Sequence, residues 1–507
     1  MARSLPPRFA VGLPSRTLPG ALPEPAAIVI ALHALVWAWV GIVSRTNLDL
    51  SGDMVEAFVW GEAWQLGYFK HPPLSAWVAS AWFSVFPRTD AAYSVLSALN
   101  TAVGLAGFAV LCRQFMDARW TAVCVAAAAL TPGLTTMAMR FNANAILVST
   151  WPWAMAFFVR AMRGGRPGDA VAAGVVCGLA MLGKYFSGVL LVSLALAALC
   201  EPAWRARLLS RTGAIVGLSC LAVSIPHLGW LVSNGWAPIA YAREATGFVN
   251  GSPTGRALRF FLCMLVFPAL GFALIAGASQ RARDAGRALL SVLRPSADPI
   301  WVLAMAPVLL TVAATVVTGA RTATVWALPM GMGLVMWLGV QLRRTAPNPD
   351  LRVLGGGLAL AWTLAVVGSA LLWRHDAAQG EQRVAEPRAE LAALVDAHWR
   401  VEQGGPLRWV TGTRPLAASV AFYAPARPAY WSVWASEVET PWVDRERVAA
   451  EGGAVVCAAD DAGCAALGES MGGRRIEVSV GKSVRDHVFA AVDFVVVLVP
   501  PSQRWAP

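Results

Sequence analysis

The sequence predicts a polytopic α-helical membrane protein: about eleven transmembrane helices, interfacial helices in the first outer loop, and a small C-terminal α/β domain outside the membrane. Three observations carry that class. Of 507 residues, 57% are hydrophobic and only 14% charged, against roughly 25% charged in ordinary soluble domains. Apolar runs near the ~20 residues that one span requires follow one another from residue 26 to residue 373. After residue 375 they give way to the composition of a soluble domain. The net charge of +11 does not indicate nucleic acid, because the arginines gather in short loops between apolar runs, as they do in cytoplasmic loops.

Residues 1–25 form a basic, proline-rich tail, and Arg3, Arg8 and Arg16 keep it cytoplasmic. Segment 26–43 exceeds the ~7–15-residue core of a cleaved leader and has no small-residue cleavage site after it, so it is expected to be an uncleaved first span. The runs 93–112, 121–139, 143–162, 170–183, 186–200, 212–232, 257–278, 299–318, 322–340 and 355–373 continue the series. The stretch 170–200 is too long for one span and divides into two short helices meeting near Lys184. Charge supports the division. With it, the clusters around Arg113, Arg163, Arg207, Arg283 and Arg343 all fall on the cytoplasmic side; one span fewer would invert every later loop.

The membrane domain therefore covers 26–374, with outer loops at 44–92 and 233–256. Within the first loop, 75–86 is apolar but short, and Trp77 and Trp82 suit a helix lying along the interface. A short true span is the alternative and breaks the charge pattern. In the outer domain, 375–507, helical periodicity covers 387–401, and 408–411, 454–457, 476–480 and 494–499 read as strands. Cys457 and Cys464 flank a short polar loop there, and the sequence leaves their pairing open. The other six cysteines lie in or beside apolar runs as small apolar residues.

Chemistry concentrates in DMVEAFVWGEAWQLGYFKHPP, residues 53–73. Asp53 begins a helical stretch, where an acid serves equally as a helix cap or as a chemical group; Glu56 follows one turn later on the same face. Lys70 and His71 precede Pro72-Pro73, which fixes their backbone. Their ordinary alternative is a lysine snorkelling to headgroups and a turn histidine. Lys184 is an ion between two apolar stretches, a costly and usually functional placement. Arg140, with Asn142 and Asn144, sits at the outer end of a helical hairpin, as a phosphate clamp or an interfacial anchor. Arg243 and Glu244 in the second outer loop suit sugar or acceptor contact, or an ordinary surface pair. His33 and His227 read as structural.

An acidic pair after the first span, then GYFKHPPLSAW, GLAMLGKYFSGVLLV at 178–192 and PHLGWLVSNGW at 226–236, resembles bacterial members of the protein O-mannosyltransferase and lipid A aminoarabinose transferase superfamily. The resemblance covers the membrane part in order, and VAFYAPARPAYW at 420–431 is similar to the outer domain of such proteins. It implies a GT-C fold and a glycosyltransferase that takes a sugar from a polyprenyl-phosphate carrier to an envelope acceptor, lipid A or lipopolysaccharide first, at the periplasmic face of the bacterial inner membrane. It matches Asp53, as general base, to the family's loop acid and Lys184 to the family's phosphate-binding lysine; from their own placement Glu56 is expected to act beside Asp53, and Lys70, His71 and Arg140 to meet the donor phosphate. Asn142, Asn144, Tyr185, Arg243 and Glu244 would line the substrate. A divalent metal on Asp53, Glu56 and His71 is left open. Two departures stand out: Met54 and Val55 separate the acids, and Lys70 stands where relatives commonly carry an acid, which counts against an acid-dependent metal site there. A protein O-glycosyltransferase of the same fold is the nearest alternative. A transporter or lipid flippase is the more distant one, since its charges would gather at the midplane rather than the outer edge.

Overall fold

In the computed structural model, residue 22 and residues 24–49, 51–245, 247 and 252–502 are described, without the side chains of 435–437. Arg3, Arg8 and Arg16 lie outside the described residues. The first span is α1 (Glu24–Ser44). The outer loop after it holds α2 (Asp53–Gly61) and α3 (Leu74–Val85). Then come α4 (Asp90–Cys112), α5 (Ala118–Ala129), α6 (Ile146–Gly164), α7 (Pro167–Gly183) and α8 (Gly188–Cys200). Short α9 (Pro202–Leu208) leads to α10 (Arg211–Ser233), and α11 (Ala237–Ala245) lies in the second outer loop. The run at 257–278 is a broken helix, α12 (Pro253–Val266) and α13 (Ala269–Ser279), interrupted at Pro268. Amphipathic α14 (Ala282–Val292) precedes α15 (Pro299–Thr318), α16 (Met330–Leu342) and the last span, α17 (Leu351–Gln379). Six of these units are long and apolar enough to cross a bilayer, and five shorter apolar helices accompany them. The chain is a multi-pass membrane protein.

The break at Lys184 is real. α7 ends at Gly183, Lys184 adopts extended backbone (φ −165°, ψ 138°), and a 3-10 turn leads into α8. Its direction follows from two glycines. Gly174 packs against Val216 and Ser219, and Gly178 against Val223, so closely that a Cβ would come within 2.7 Å of the neighbour. Contacts that advance together along both helices make α7 and α10 parallel, so the chain between them, α8 with α9, must return across the bundle.

Polar contacts sort the loops into two faces. On one, Arg163 donates to the Gln114 carbonyl, Arg207 to the Met162 carbonyl, Trp120 Nε1 to the Ala346 carbonyl at 2.8 Å, and Gln280 to Asp350 at 2.7 Å. These are the arginine-rich connections. On the other, the segment after α1 meets the C-terminal domain: Lys482 Nζ donates to the Thr46 carbonyl (3.0 Å) and Asn47 Oδ1 (3.2 Å), and Arg388 to the Asp49 carbonyl (3.3 Å). α3 stays on that face. Trp77, near its start, bonds the Gln65 carbonyl (2.8 Å), and Arg88, just after its end, reaches Glu62 (2.5 Å) and the Ala421 carbonyl (3.5 Å). Its 12 residues, about 18 Å at 1.5 Å per residue, are also too short for a ~30 Å hydrocarbon core.

The outer domain follows a short α18 (Gln382–Ala385) and α19 (Arg388–Gln403). Its sheet joins β1 (Trp409–Gly412), β2 (Ala429–Tyr430), β3 (Gly453–Ala458), β4 (Arg474–Val484) and β5 (His487–Val499) in the order β2-β1-β3-β5-β4. α20 (Arg414–Tyr423) lies between β1 and β2 in the chain. The four expected strands are present, three of them longer than expected, and β2 is additional. Cys457 and Cys464 form a disulfide. Phe422 of α20 docks the domain on the loop, edge-on to Phe58 (5.0 Å) and Phe83 (5.2 Å).

Candidate active site

The helix that carries the acids is capped by neither of them. Asp49 Oδ2 accepts the Asp53 amide (3.1 Å) and its Oδ1 the Met54 amide (2.8 Å), while Gly52, at φ 82°, supplies the left-handed turn before α2. The capping alternative for Asp53 therefore falls to Asp49. With its N-terminal amides already satisfied, α2 leaves the Asp53 carboxylate without a hydrogen bond or ion pair among the described residues. Asp53 is an exposed residue, yet the surrounding protein raises its pKa above the ordinary carboxylate range by desolvation. Asp49 adds to the rise; Lys70, Lys184 and Arg140 oppose it. These three cations and Asp53 thus share one electrostatic neighbourhood.

Glu56 follows a different course. It is buried, and its Oε2 receives Lys70 Nζ at 2.5 Å. Burial raises the Glu56 pKa, against the pull of Lys70. The Lys70 ammonium also lies over three rings: Phe69 at 5.3 Å, Tyr241 at 5.7 Å and Trp60 at 5.9 Å. Pro72 and Pro73 set this geometry by holding the lysine's backbone at the foot of α3. His71 stands beside the cage, 6.4 Å from Trp60 and 6.5 Å from Tyr241. Desolvation, then Lys184 and Lys70, push its pKa down to about 3, so the ring is neutral at neutral pH.

Lys184 Nζ donates to Asn144 Oδ1 at 2.5 Å and lies 5.4 Å from the Trp326 ring. Both partners are neutral. Asn142 Oδ1 accepts the Asn144 and Ala145 amides (2.9 and 3.1 Å), so that oxygen shapes the turn that presents Asn144. Tyr185 OH meets His227 Nε2 at 2.8 Å, and His227 Nδ1 meets the Leu66 carbonyl at 2.7 Å. Because a carbonyl only accepts, Nδ1 carries the proton and Nε2 accepts from the tyrosine. His227 is structural, as expected, and ties the kink at Lys184 to the first outer loop; His33, on the Leu134 carbonyl at 2.9 Å, is likewise structural.

Arg140 is exposed beside this group, and Arg243 and Glu244 are exposed at the end of α11. Sequence reasoning missed three participants. Asp49 reads as one more loop acid. Tyr241 reaches the Lys70 cage from the second outer loop, 5.4 Å from Phe69. Arg414 comes from the C-terminal domain, 6.0 Å from the Phe69 ring. Asp49 is local but carries nothing that separates it from neighbouring acids, and Tyr241 and Arg414 have no local signal because they arrive from distant segments.

Among the described residues, no three His, Cys, Asp or Glu side chains come together in a metal-binding group. Glu56 already serves Lys70. The trio Asp53, Glu56 and His71 does not fit a divalent ion without rearrangement.

Comparison with known proteins agrees with the architecture. A family model described as dolichyl-phosphate-mannose-protein mannosyltransferase matches residues 70–230, which takes in Lys70, His71, Arg140, Asn144 and Lys184 but stops short of Asp53. The lipid A galacturonosyltransferase RgtD of Rhizobium johnstonii is 24% identical over 322 residues, 62% of this chain. That alignment spans 65% of the relative's length. The crystal structure of ArnT from Cupriavidus metallidurans bound to undecaprenyl phosphate superposes with a TM-score of 0.61 at 17% identity, over 95% of this chain and 98% of that one. Its apo form gives 0.59 over the same shares of the two chains.

Proposed function

We propose that the chain is a GT-C membrane glycosyltransferase that moves a sugar from a polyprenyl-phosphate carrier to a lipid acceptor of the envelope, lipid A or a related lipopolysaccharide component. The observation that carries this reading is an uncommitted carboxylate, Asp53, in the field of Lys184 and Arg140, cations without an acidic hydrogen-bond partner. Such transfer needs a base for the acceptor hydroxyl and positive charge for the departing phosphate. Asp53 takes the hydroxyl proton as the acceptor oxygen bonds to the anomeric carbon. The bond from that carbon to the phosphate oxygen breaks, and its electron pair stays on the lipid phosphate, which Lys184 and Arg140 stabilise. One displacement inverts the sugar.

Lys70 neutralises Glu56 and orders the aromatic wall, and His71 remains a neutral ring at that wall. We place the reaction at the periplasmic face of a bacterial inner membrane, with the N-terminus cytoplasmic. Two features support that orientation. The arginine-rich loops cluster on the opposite face, and the disulfide between Cys457 and Cys464 suits an oxidising compartment. No step is routed through a metal.

The test incubates purified full-length protein with a panel of polyprenyl-phosphate sugars and envelope lipids, with products read by mass spectrometry. One donor and acceptor pair is expected to give product with wild type and little with Asp53→Asn or Lys184→Ala. Full turnover by both variants would refute the assignment.

A further inference from the structure

Apart from the cluster around Asp53, the bundle holds a second feature of note. A cavity of about 350 Å³ lies between α1 and α17, floored by Trp37 and Val40 on one side and Leu364, Gly368 and Leu372 on the other. That volume falls within the ~300–1,000 Å³ of ligand pockets. Leu364 and Leu372 are 62% and 40% exposed, so the cavity opens sideways between the helices, where the acyl chains of a bilayer would lie. Arg45 and Arg383 stand at its outer end.

At that end Arg45 lies in the field of Asp49 and Asp90 as well as Arg140 and Arg383, but these carboxylates do not reach it. Arg383 is ion-paired with Asp376. Arg45 is half-buried, and among the described residues its guanidinium makes no hydrogen bond or ion pair. Arg140, next to the lining residue Met139, is also without one and repels Arg45. An apolar trough ending in a half-buried guanidinium without a direct partner among the described residues complements an amphiphile with an anionic head. The place of that head is also informative, because Arg140 acts electrostatically on both Arg45 and Asp53.

We propose that the α1–α17 groove binds a phosphate-bearing acyl lipid of the outer leaflet, phosphate on Arg45 and chains along the two helices, and presents it to Asp53 as the acceptor. This rests on the transfer reading above for its purpose, but not for its binding test. It also separates the two lipids: the carrier's phosphate meets Lys184, and the acceptor approaches from the opposite side of Arg140.

Full-length protein is reconstituted in phosphatidylcholine nanodiscs doped with phosphatidic acid or, in parallel, with uncharged diacylglycerol, and retained lipid is counted by native mass spectrometry. Wild type is expected to retain phosphatidic acid over diacylglycerol. Arg45→Gln should lower retention about tenfold, the size of one charge-assisted contact, and Arg45→Lys should restore much of it. Gly368→Leu fills the groove without a backbone clash, since a Cβ there meets nothing within 4 Å, and should also expel the lipid. Asp53→Asn should retain it fully. Once the acceptor is known, Arg45→Gln should raise its KM and leave that of the donor unchanged. Equal retention of both lipids, or undiminished retention in Arg45→Gln and Gly368→Leu, overturns the groove while leaving the transfer reading intact. Loss of lipid in those two variants with no transfer from any donor would refute the transfer reading and keep the lipid site.

Discussion

The two stretches that bring charge to the face next to the C-terminal domain are built in opposite ways. Between residues 53 and 73 the ions are crowded and mostly matched: Glu56 with Lys70, and Glu62 across to Arg88, both at 2.5 Å. At the break between α7 and α8 one lysine stands among apolar helices, steadied by an amide and a ring face. The difference shows where charge serves folding and where it remains available. A buried ion pair is neutral as a unit, and losing one partner strands the other. An ion held by neutral partners has no counter-charge of its own and remains open to a ligand. Asp53 belongs with Lys184 by this criterion, although it shares a helix with Glu56.

The sharpest way to break that comparison is to neutralise the two acids of α2 one at a time. Asp53→Asn is expected to lower kcat by about 100- to 10,000-fold, the range for removal of a general base, with an unchanged melting temperature. Lys184→Ala should cost about 100-fold through the lost stabilisation of the leaving phosphate, also with little change in melting. Glu56→Gln should do the reverse. It leaves Lys70 without its counter-charge and is expected to destabilise the fold by about 3 kcal/mol, read by denaturation of the detergent-solubilised protein. Equal effects of the Asp53 and Glu56 variants on melting would erase the distinction.

A smaller effect is expected in the outer domain, where one covalent link sharpens the contrast with the membrane part. The disulfide closes a loop with a sequence separation of 7, and chain-entropy arguments assign such a loop about 2.5 kcal/mol. Replacing Cys457 and Cys464 together by Ser should lower the stability of this domain by that order and abolish the sensitivity of its denaturation to reductant. The six free cysteines lie elsewhere.

Much of this was legible in the sequence, because in a membrane the signal for a helix is length of apolar run and the signal for its direction is charge in the next loop. Each of the eleven runs contains a helix or helix pair, although 121–139 is α-helical only to Ala129 and 322–340 only from Met330, and even the break at Lys184 was visible as an ion no single span would bury there. The hairpin of β4 and β5 was only half legible. Its turn places Arg485 and Asp486 at φ 50° and 65°, a conformation usually announced by Asn-Gly or Asp-Gly, and neither is present. The site was legible as a set of charged residues but not as a set of partnerships. Spacing brings Glu56 to the same face as Asp53, yet it says nothing of Lys70 folding back over fourteen residues to claim it. Asp49 could not be told from its neighbours, because a cap is recognised by which amides it faces and not by its type.

The finest test of the shared neighbourhood uses pH. Desolvation first, and Asp49 second, raise the Asp53 pKa, while Lys70, Lys184 and Arg140 pull it down. In its proposed role as base, Asp53 works only when deprotonated, so kcat/KM should fall as pH drops through that raised value, above the ~3.9 of an ordinary aspartate. Arg140→Gln removes one of the charges that favour the carboxylate. The acid limb should therefore move to higher pH, whatever happens to the plateau. Arg166→Gln, an exposed arginine of the opposite face, removes the same charge from the protein as a whole and should leave the limb where it was. A shift in both variants would reduce the effect to net charge, and a shift in neither would mean that Arg140 and Asp53 do not face a common space. Movement in Arg140→Gln alone would tie the carboxylate of the crowded stretch to the sparse cations beyond it, the juxtaposition on which a two-lipid reaction at this face depends.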